Sequence, residues 1–178
     1  KHTPGNTVSN LSSSRALKDV TEAYGQQYHA AAVGEVNVVA EMKRTHSVIG
    51  GEGNGGVIYP ESHYGRDALV GVGLFLSHYV AQSKKMTELK STYPPYSISK
   101  NKMTLSPDMD VDKILEGLKE RYATEKVTDI DGVKIDFAQG WVHLRKSNTE
   151  PIIRIYSEAK DEAAANQLAE EVIAAAKS

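Results

Sequence analysis

The sequence predicts two units in tandem: a mixed-sheet α/β domain, then a small α+β domain whose antiparallel sheet is flanked by helices. Three observations lead there. Strand-like and helix-like segments alternate through the first half at the spacing of an α/β layer. The second half reads helix, β-meander, helix. Between them lies Ser91-Thr-Tyr-Pro-Pro-Tyr96, and a Pro-Pro pair forces extended backbone. The expected division is residues 1–92, a hinge or linker at 93–98, and residues 99–178. Charge shifts across it: residues 1–98 carry nine basic and eight acidic side chains, net +1, whereas 99–178 carry twelve and fifteen, net −3.

Each element has a local cause. Thr7 to Ser12 is a short strand, and Ser13 or Ser14 can cap a helix through Ala16, Leu17, Val20 and Tyr24, which Gly25 stops. Tyr28 to Val33 reads as a strand, Val36 to Arg44 as a helix and Ser47 to Gly50 as a third strand. Val57-Ile-Tyr follows a glycine loop and is closed by Pro60. From Arg66 to Ala81 runs a helix apolar on nearly every side, which predicts burial between layers. In the second half Val111, Ile114, Leu115, Leu118 and Tyr122 fall on one helical face, with Asp108 or Asp110 as the cap. Val133, Ile135 and Phe137 alternate with polar residues as in a half-buried strand; Trp141 to Arg145 and Ile152 to Tyr156 supply two more. Ala165, Leu168, Ala169, Val172, Ile173 and Ala176 stripe a closing helix.

Composition narrows the function classes. The chain has 178 residues, 40% hydrophobic and 25% charged, the balance of a folded globular protein. A net charge of −2 gives no general attraction for nucleic acid or an anionic membrane. Cysteine is absent, which removes disulfides, thiolate metal sites and cysteine nucleophiles. The longest apolar run, Ala68 to Leu76, is nine residues, about half of a membrane span. Without a signal peptide or an initiating Met, Lys-His-Thr-Pro-Gly-Asn opens like the interior of a longer, cytoplasmic chain.

Two loops carry chemistry. Five of the 14 glycines crowd into Gly50-Gly-Glu-Gly-Asn-Gly-Gly56, where bare backbone can turn tightly and approach a ligand. Gly51, Gly53 and Gly56 formally satisfy the dinucleotide fingerprint, but that motif must open a helix and Val57-Ile-Tyr reads as a strand. A plain hairpin turn is the alternative; the lone carboxylate Glu52 favours hydroxyl recognition. The second loop, Arg145-Lys-Ser-Asn-Thr-Glu-Pro151, sits between two strands with Arg154 beyond it. Arg145 offers a fork matched to phosphate oxygens, while Ser147, Asn148 and Thr149 add neutral donors. A solvated polar turn is the alternative. Asp108-Met-Asp-Val-Asp112 reads as helix capping, and Asp131-Gly132 as a hairpin turn.

Gly50 to Ile58 and Arg145-Lys-Ser-Asn-Thr-Glu-Pro-Ile-Ile-Arg154 resemble the sugar loop and the phosphate loop of the α-D-phosphohexomutases, the phosphoglucosamine, phosphomannose and phosphoglucose mutases. The stretch Tyr59 to Leu69 resembles the segment after the sugar loop. The resemblance implies most of the third and all of the fourth of four domains. It assigns the sugar to Glu52, Gly53 and Asn54, and the phosphate to Arg145, Ser147, Asn148 and Thr149. Lys146, Arg154 and Glu35 would be supporting residues. Arg66-Asp67 reads as a capping pair rather than a substrate contact.

The family's phosphoserine loop, Ser-His-Asn-Pro, and its magnesium loop, Asp-Gly-Asp-Gly-Asp-Arg, do not occur in this sequence. The resemblance therefore implies the substrate-gripping half of an isomerase, an intramolecular phosphotransferase working through a hexose 1,6-bisphosphate. It places no catalytic residue and no metal ligand in this stretch, which alone should be inactive. Magnesium and the N-terminal domains would belong to the rest of the polypeptide. The substrate would be a hexose phosphate, with glucosamine favoured over mannose or glucose. The competing reading is a stand-alone sugar-phosphate binding module.

Overall fold

The computed structural model describes residues 3–106, 109–147 and 149–177, so the candidate cap Asp108 and the candidate donor Asn148 lie outside the described residues. The chain forms two compact units, Lys1–Pro94 and Pro95–Ser178.

The first unit contains β1 (Thr7–Asn10), α1 (Ala16–Ala23), β2 (Tyr28–Ala31), α2 (Glu35–Thr45), β3 (Ile49–Glu52), β4 (Gly56–Tyr59), β5 (His63–Arg66), α3 (Ala68–Gln82) and α4 (Met86–Lys90). Its sheet has the order β2-β1-β3-β4-β5. β1 runs parallel to β2 and β3, while β3–β4 and β4–β5 are antiparallel. The sheet is mixed, as the alternation in sequence predicts. α2 covers one face through a core of Val8, Ala31, Val38, Met42 and Ile58. α1 lies on the other face, where Thr21 Oγ1 meets Thr7 Oγ1 at 2.6 Å.

α3 departs from expectation. Its predicted burial does not occur: no residue of the helix is buried, and Leu69 is 84% exposed. The all-round apolar sequence required a layer on each side. Within this unit α3 packs on β4 and touches α4, leaving Val72, Phe75, Leu76 and Val80 exposed as well. Arg66 is also not the start of the helix. It ends β5, and Asp67 is the cap, accepting from Val70 N at 3.0 Å.

The second unit contains β6 (Ser97–Thr104), α5 (Val111–Arg121), β7 (Lys126–Thr128), β8 (Val133–Asp136), β9 (Gly140–Lys146), β10 (Ile152–Ala159) and α6 (Glu162–Ala176). Its five strands are antiparallel in the order β6-β10-β9-β8-β7. One sheet face, built from Met103, Val133, Ile135, Val142, Leu144, Ile153 and Ile155, packs with Val111 and Leu118 of α5 and Leu168 and Val172 of α6. Side-chain caps fix both helix starts: Asp110 accepts from Asp112 N and Lys113 N, and Asp161 from Ala164 N. β6 takes in Ser97 and Ile98 and is an edge strand; its Lys-rich, weakly apolar sequence suits an edge and hid it from hydropathy patterning.

Candidate functional site

The glycine loop is a β-hairpin. β3 and β4 pair with Gly50 opposite Ile58 and Glu52 opposite Gly56, and residues 53–55 make the turn. Gly55 N donates to Glu52 O at 3.1 Å, and Gly56 N to Asn54 Oδ1 at 3.1 Å. A strand follows the glycines, so the dinucleotide geometry is excluded here. Glycine is required at Gly51, where a Cβ would collide with the Gly56 carbonyl oxygen. Two cavities flank the turn. One, of about 270 Å³, is lined by Ser9, Ser13, Ser14 and Leu17 with the loop backbone. The other, of about 500 Å³, is bounded by Glu35, Asn54, Gly55, Gly56, Arg66 and Ala68.

The Glu52 side chain is only 6% exposed, and its carboxylate is anchored from within the unit. Oε1 accepts from Asn10 Nδ2 at 2.9 Å and from Gly34 N at 3.0 Å. Oε2 lies 3.7 Å from an Arg66 guanidinium nitrogen, an ion pair beyond hydrogen-bonding length, which leaves that oxygen able to accept a hydroxyl. Glu35, the first residue of α2, binds Arg66 at 2.7 Å, and this hydrogen bond holds its carboxyl below the ordinary carboxylate range. Gly53 and Asn54 are exposed at the turn. The structure thus gathers Glu35, Glu52 and Asn54 around one hairpin, and joins to them Asn10 and Gly34, which the sequence reading did not single out, and Arg66, which it read as half of a capping pair. They lie up to 42 positions from Glu52 in the chain, and no local pattern marks them.

In the second unit, β9 and β10 bring Arg145 directly opposite Arg154, and Lys102 of β6 lies opposite Arg154 on its other side. Directly opposed residues share a sheet face, so three cations form one row. Like charges in that register repel, and nearby carboxylates offset part of it. Arg154 pairs with Glu150 at 3.1 Å, whereas Arg145 is 3.9 Å from Asp131. That contact too is longer than a hydrogen bond, so the Arg145 fork is available to a better acceptor. Asp131 is fixed from behind: its carbonyl accepts from His143 Nε2 at 2.7 Å, and burial pushes the His143 imidazole down to about 4, so it is neutral near pH 7.

The 147–151 connection is tied at both ends. Ser147 N donates to Ile152 O at 3.0 Å and Leu105 N to Pro151 O at 3.0 Å. Ser147 is buried and its hydroxyl accepts from Thr149 N at 3.4 Å, while Lys146 is exposed. Arg145, Ser147 and Thr149 are therefore grouped at one strand end. Lys102 was missed because β6 did not read as a strand. Among the described residues no group of three or more His, Asp or Glu side chains converges to hold a metal ion.

The candidate site thus consists of a partly anchored carboxylate on a glycine hairpin and an arginine beside a polar β-connection. Comparison with known proteins then gives the family. Residues 1–96 match the phosphoglucomutase/phosphomannomutase alpha/beta/alpha domain III and residues 100–175 the C-terminal domain of the same proteins, and the chain belongs to that family. It is 36% identical over 167 residues to the phosphoglucosamine/phosphogalactosamine mutase of Sulfurisphaera tokodaii, covering 93% of this chain and 37% of the relative. It is also 36% identical over 168 residues to a phosphoglucomutase/phosphomannomutase of Thermococcus kodakarensis, covering 93% and 36%. A phosphoglucomutase/phosphomannomutase family protein of Burkholderia thailandensis shares the fold, with a TM-score of 0.76 at 23% identity over 98% of this chain and 38% of that one. The chain thus spans little more than a third of the length of the relatives it matches. Among the described residues no helix is long and apolar enough to cross a membrane.

Proposed function

We propose that this chain is the substrate-gripping portion of a phosphohexomutase, a sugar-phosphate isomerase that moves a phosphoryl group between the 6- and 1-positions of a hexose. Family membership supports the class. The observation that carries the role of this stretch is the Arg145 fork, held on strand β9 beside Ser147 and Thr149, its guanidinium making no hydrogen bond among the described residues. Arg145, Ser147, Asn148 and Thr149 bind the phosphate that is not being transferred; Lys146 and Arg154 add positive potential. Glu52, Gly53 and Asn54 read the sugar hydroxyls, with Glu35 beside them. Positioning and charge stabilisation are what phosphoryl transfer chiefly asks of a protein.

The names of relatives that act on glucosamine phosphate favour an amino-sugar phosphate as substrate. Residues 93–96 serve as the hinge between a sugar-reading domain, 1–92, and a phosphate-binding domain that begins with β6 at Ser97. The phosphoserine, the magnesium ion and the bisphosphate turnover belong to the remaining domains of the polypeptide, which is placed in the cytoplasm. The present stretch alone is inactive. Titration of inorganic phosphate into the labelled chain tests the anion role. Amide shifts should centre on residues 145–149 and be lost in Arg145→Ala. Equal shifts in both proteins would make the loop a plain turn.

A further inference from the structure

The strand β5 was invisible to patterning, and its last residue makes a contact that the sugar-reading role does not by itself require. Arg66 reaches two carboxylates that come from different elements. Its Nε donates to Glu35 Oε2 at 2.7 Å, its backbone N–H donates to Glu35 Oε1 at 3.3 Å, and a terminal nitrogen stands 3.7 Å from Glu52 Oε2. The route of the side chain is built into the hairpin. A Cβ on Gly56 would collide with Arg66 Cδ and come within 3.0 Å of its Cγ, so the missing side chain at Gly56 is the bed on which the arginine stem lies. Arg66 also pairs with Ile58 next to a register shift in the β4–β5 ladder, which sets the strand end over the hairpin.

We infer that Arg66 is a positioning residue for the sugar loop, clamping Glu52 of β3, which lines the 270 Å³ cavity, and Glu35 of α2, which lines the 500 Å³ cleft, into one rigid acceptor unit across the hairpin. The inference deepens the proposed sugar-reading role of Glu52. Without Arg66, the two carboxylates that share its guanidinium are left uncompensated, and their repulsion turns Glu52 away from Gly34. A planar guanidinium can meet two carboxylates through different nitrogens, whereas a lysine ammonium is a single point charge on a flexible stem. The clamp therefore depends on the fork and not on charge alone. Arg66 also leaves Glu52 Oε2 short of a hydrogen bond, so the clamp holds the carboxylate while keeping that oxygen available to a hydroxyl.

The test uses the whole chain, Arg66→Gln and Arg66→Lys, with three NMR readouts. The exchange rate of the Gly34 amide reports the Glu52 carboxylate, the side-chain carboxyl carbon of Glu35 reports the other arm, and glucosamine 6-phosphate titration reports recognition. In Arg66→Gln the Gly34 amide should exchange at least tenfold faster while the Gly51 amide in the β1–β3 ladder is unchanged. Glu35 should titrate closer to an ordinary carboxylate. In Arg66→Lys the Glu35 titration should be partly restored and the Gly34 protection should not. Glucosamine 6-phosphate shifts at residues 52–54 should need at least fivefold more ligand in Arg66→Gln, with inorganic phosphate shifts at 145–149 unaltered. Gly34 exchange within twofold of the parent in Arg66→Gln, or full recovery in Arg66→Lys, would overturn the clamp. If the parent chain shows no sugar shifts at all, the sugar-reading role fails, and the Gly34 and Glu35 readouts still decide the clamp.

Discussion

Replacing Glu52 by alanine removes an acceptor that holds two donors, and the structure sets the size of the effect. Asn10 is buried, and its Oδ1 is already engaged by Ser12 N and Ser13 Oγ, at 3.1 and 2.8 Å. The Asn10 amide therefore cannot turn to find a new partner for Nδ2. A buried donor left unsatisfied costs about 1–3 kcal/mol. Gly34 is half-buried, and its N–H falls at the low end of that range. Arg66 adds nothing to this loss: its guanidinium is 47% exposed and stays hydrated, and its part is to orient a carboxylate that Glu52→Ala removes. Together these give a loss of about 3 kcal/mol, or roughly a hundredfold in opening equilibrium. Native-state hydrogen exchange of Ser9 and Gly51 amides reads this unit directly. The chain's one tryptophan, Trp141, lies in the second unit, so its fluorescence on denaturation serves as the control that should not move. Glu52→Gln, which keeps one acceptor oxygen, should lose about 1 kcal/mol. A change below about 0.5 kcal/mol in Glu52→Ala would refute the anchoring argument, and a measured loss would mean that kinetics of this variant mix folding with recognition.

Further outcomes follow from burial. The His143 imidazole is held down to about 4 from an ordinary 6.5, so the folded state resists a proton that the unfolded chain accepts. Its contribution is complete above about pH 6.5 and is lost as pH falls to about 4, about 3 kcal/mol in all. Denaturant melts followed by Trp141 at pH 7 and 4.5 should show that slope, and His143→Asn should flatten it. Leu118→Ala should cost about 2–5 kcal/mol because the side chain is 1% exposed in the second core. Leu69→Ala on the uncovered α3 should change stability by less than about 0.5 kcal/mol. A Leu69 effect as large as that of Leu118 would show α3 to be packed.

Much of the architecture was legible because it rests on local signals. The i, i+3, i+4 stripes of α5 and α6, the stop at Gly25 and the alternation in β8 need no knowledge of distant chain. The elements that escaped, β5, β6 and β7, are short or polar edge segments whose pairing depends on a neighbour rather than on their own hydropathy. α3 shows the converse. Its sequence correctly announces a helix seeking burial, but burial needs a partner surface, and β4 and α4 cover only part of it. At the candidate site, Glu52 and Arg145 stand out in the sequence because unusual residue types sit in unusual loops. Arg66, Asn10 and Lys102 look ordinary in sequence, and only the hairpin register and the cross-strand row give them a part.

The central claim is that this stretch grips a hexose phosphate by two chemistries, hydroxyl acceptance at the glycine hairpin and anion capture at Arg145. It is tested most directly by NMR titration of the labelled chain with glucosamine 6-phosphate, glucosamine and inorganic phosphate in parallel. Inorganic phosphate should move residues 145–149 alone, glucosamine should move residues 52–54 alone and weakly, and glucosamine 6-phosphate should move both sets at lower concentration than either fragment. Glucosamine 6-phosphate that moves neither set, or that moves only residues elsewhere in the chain, would contradict the account.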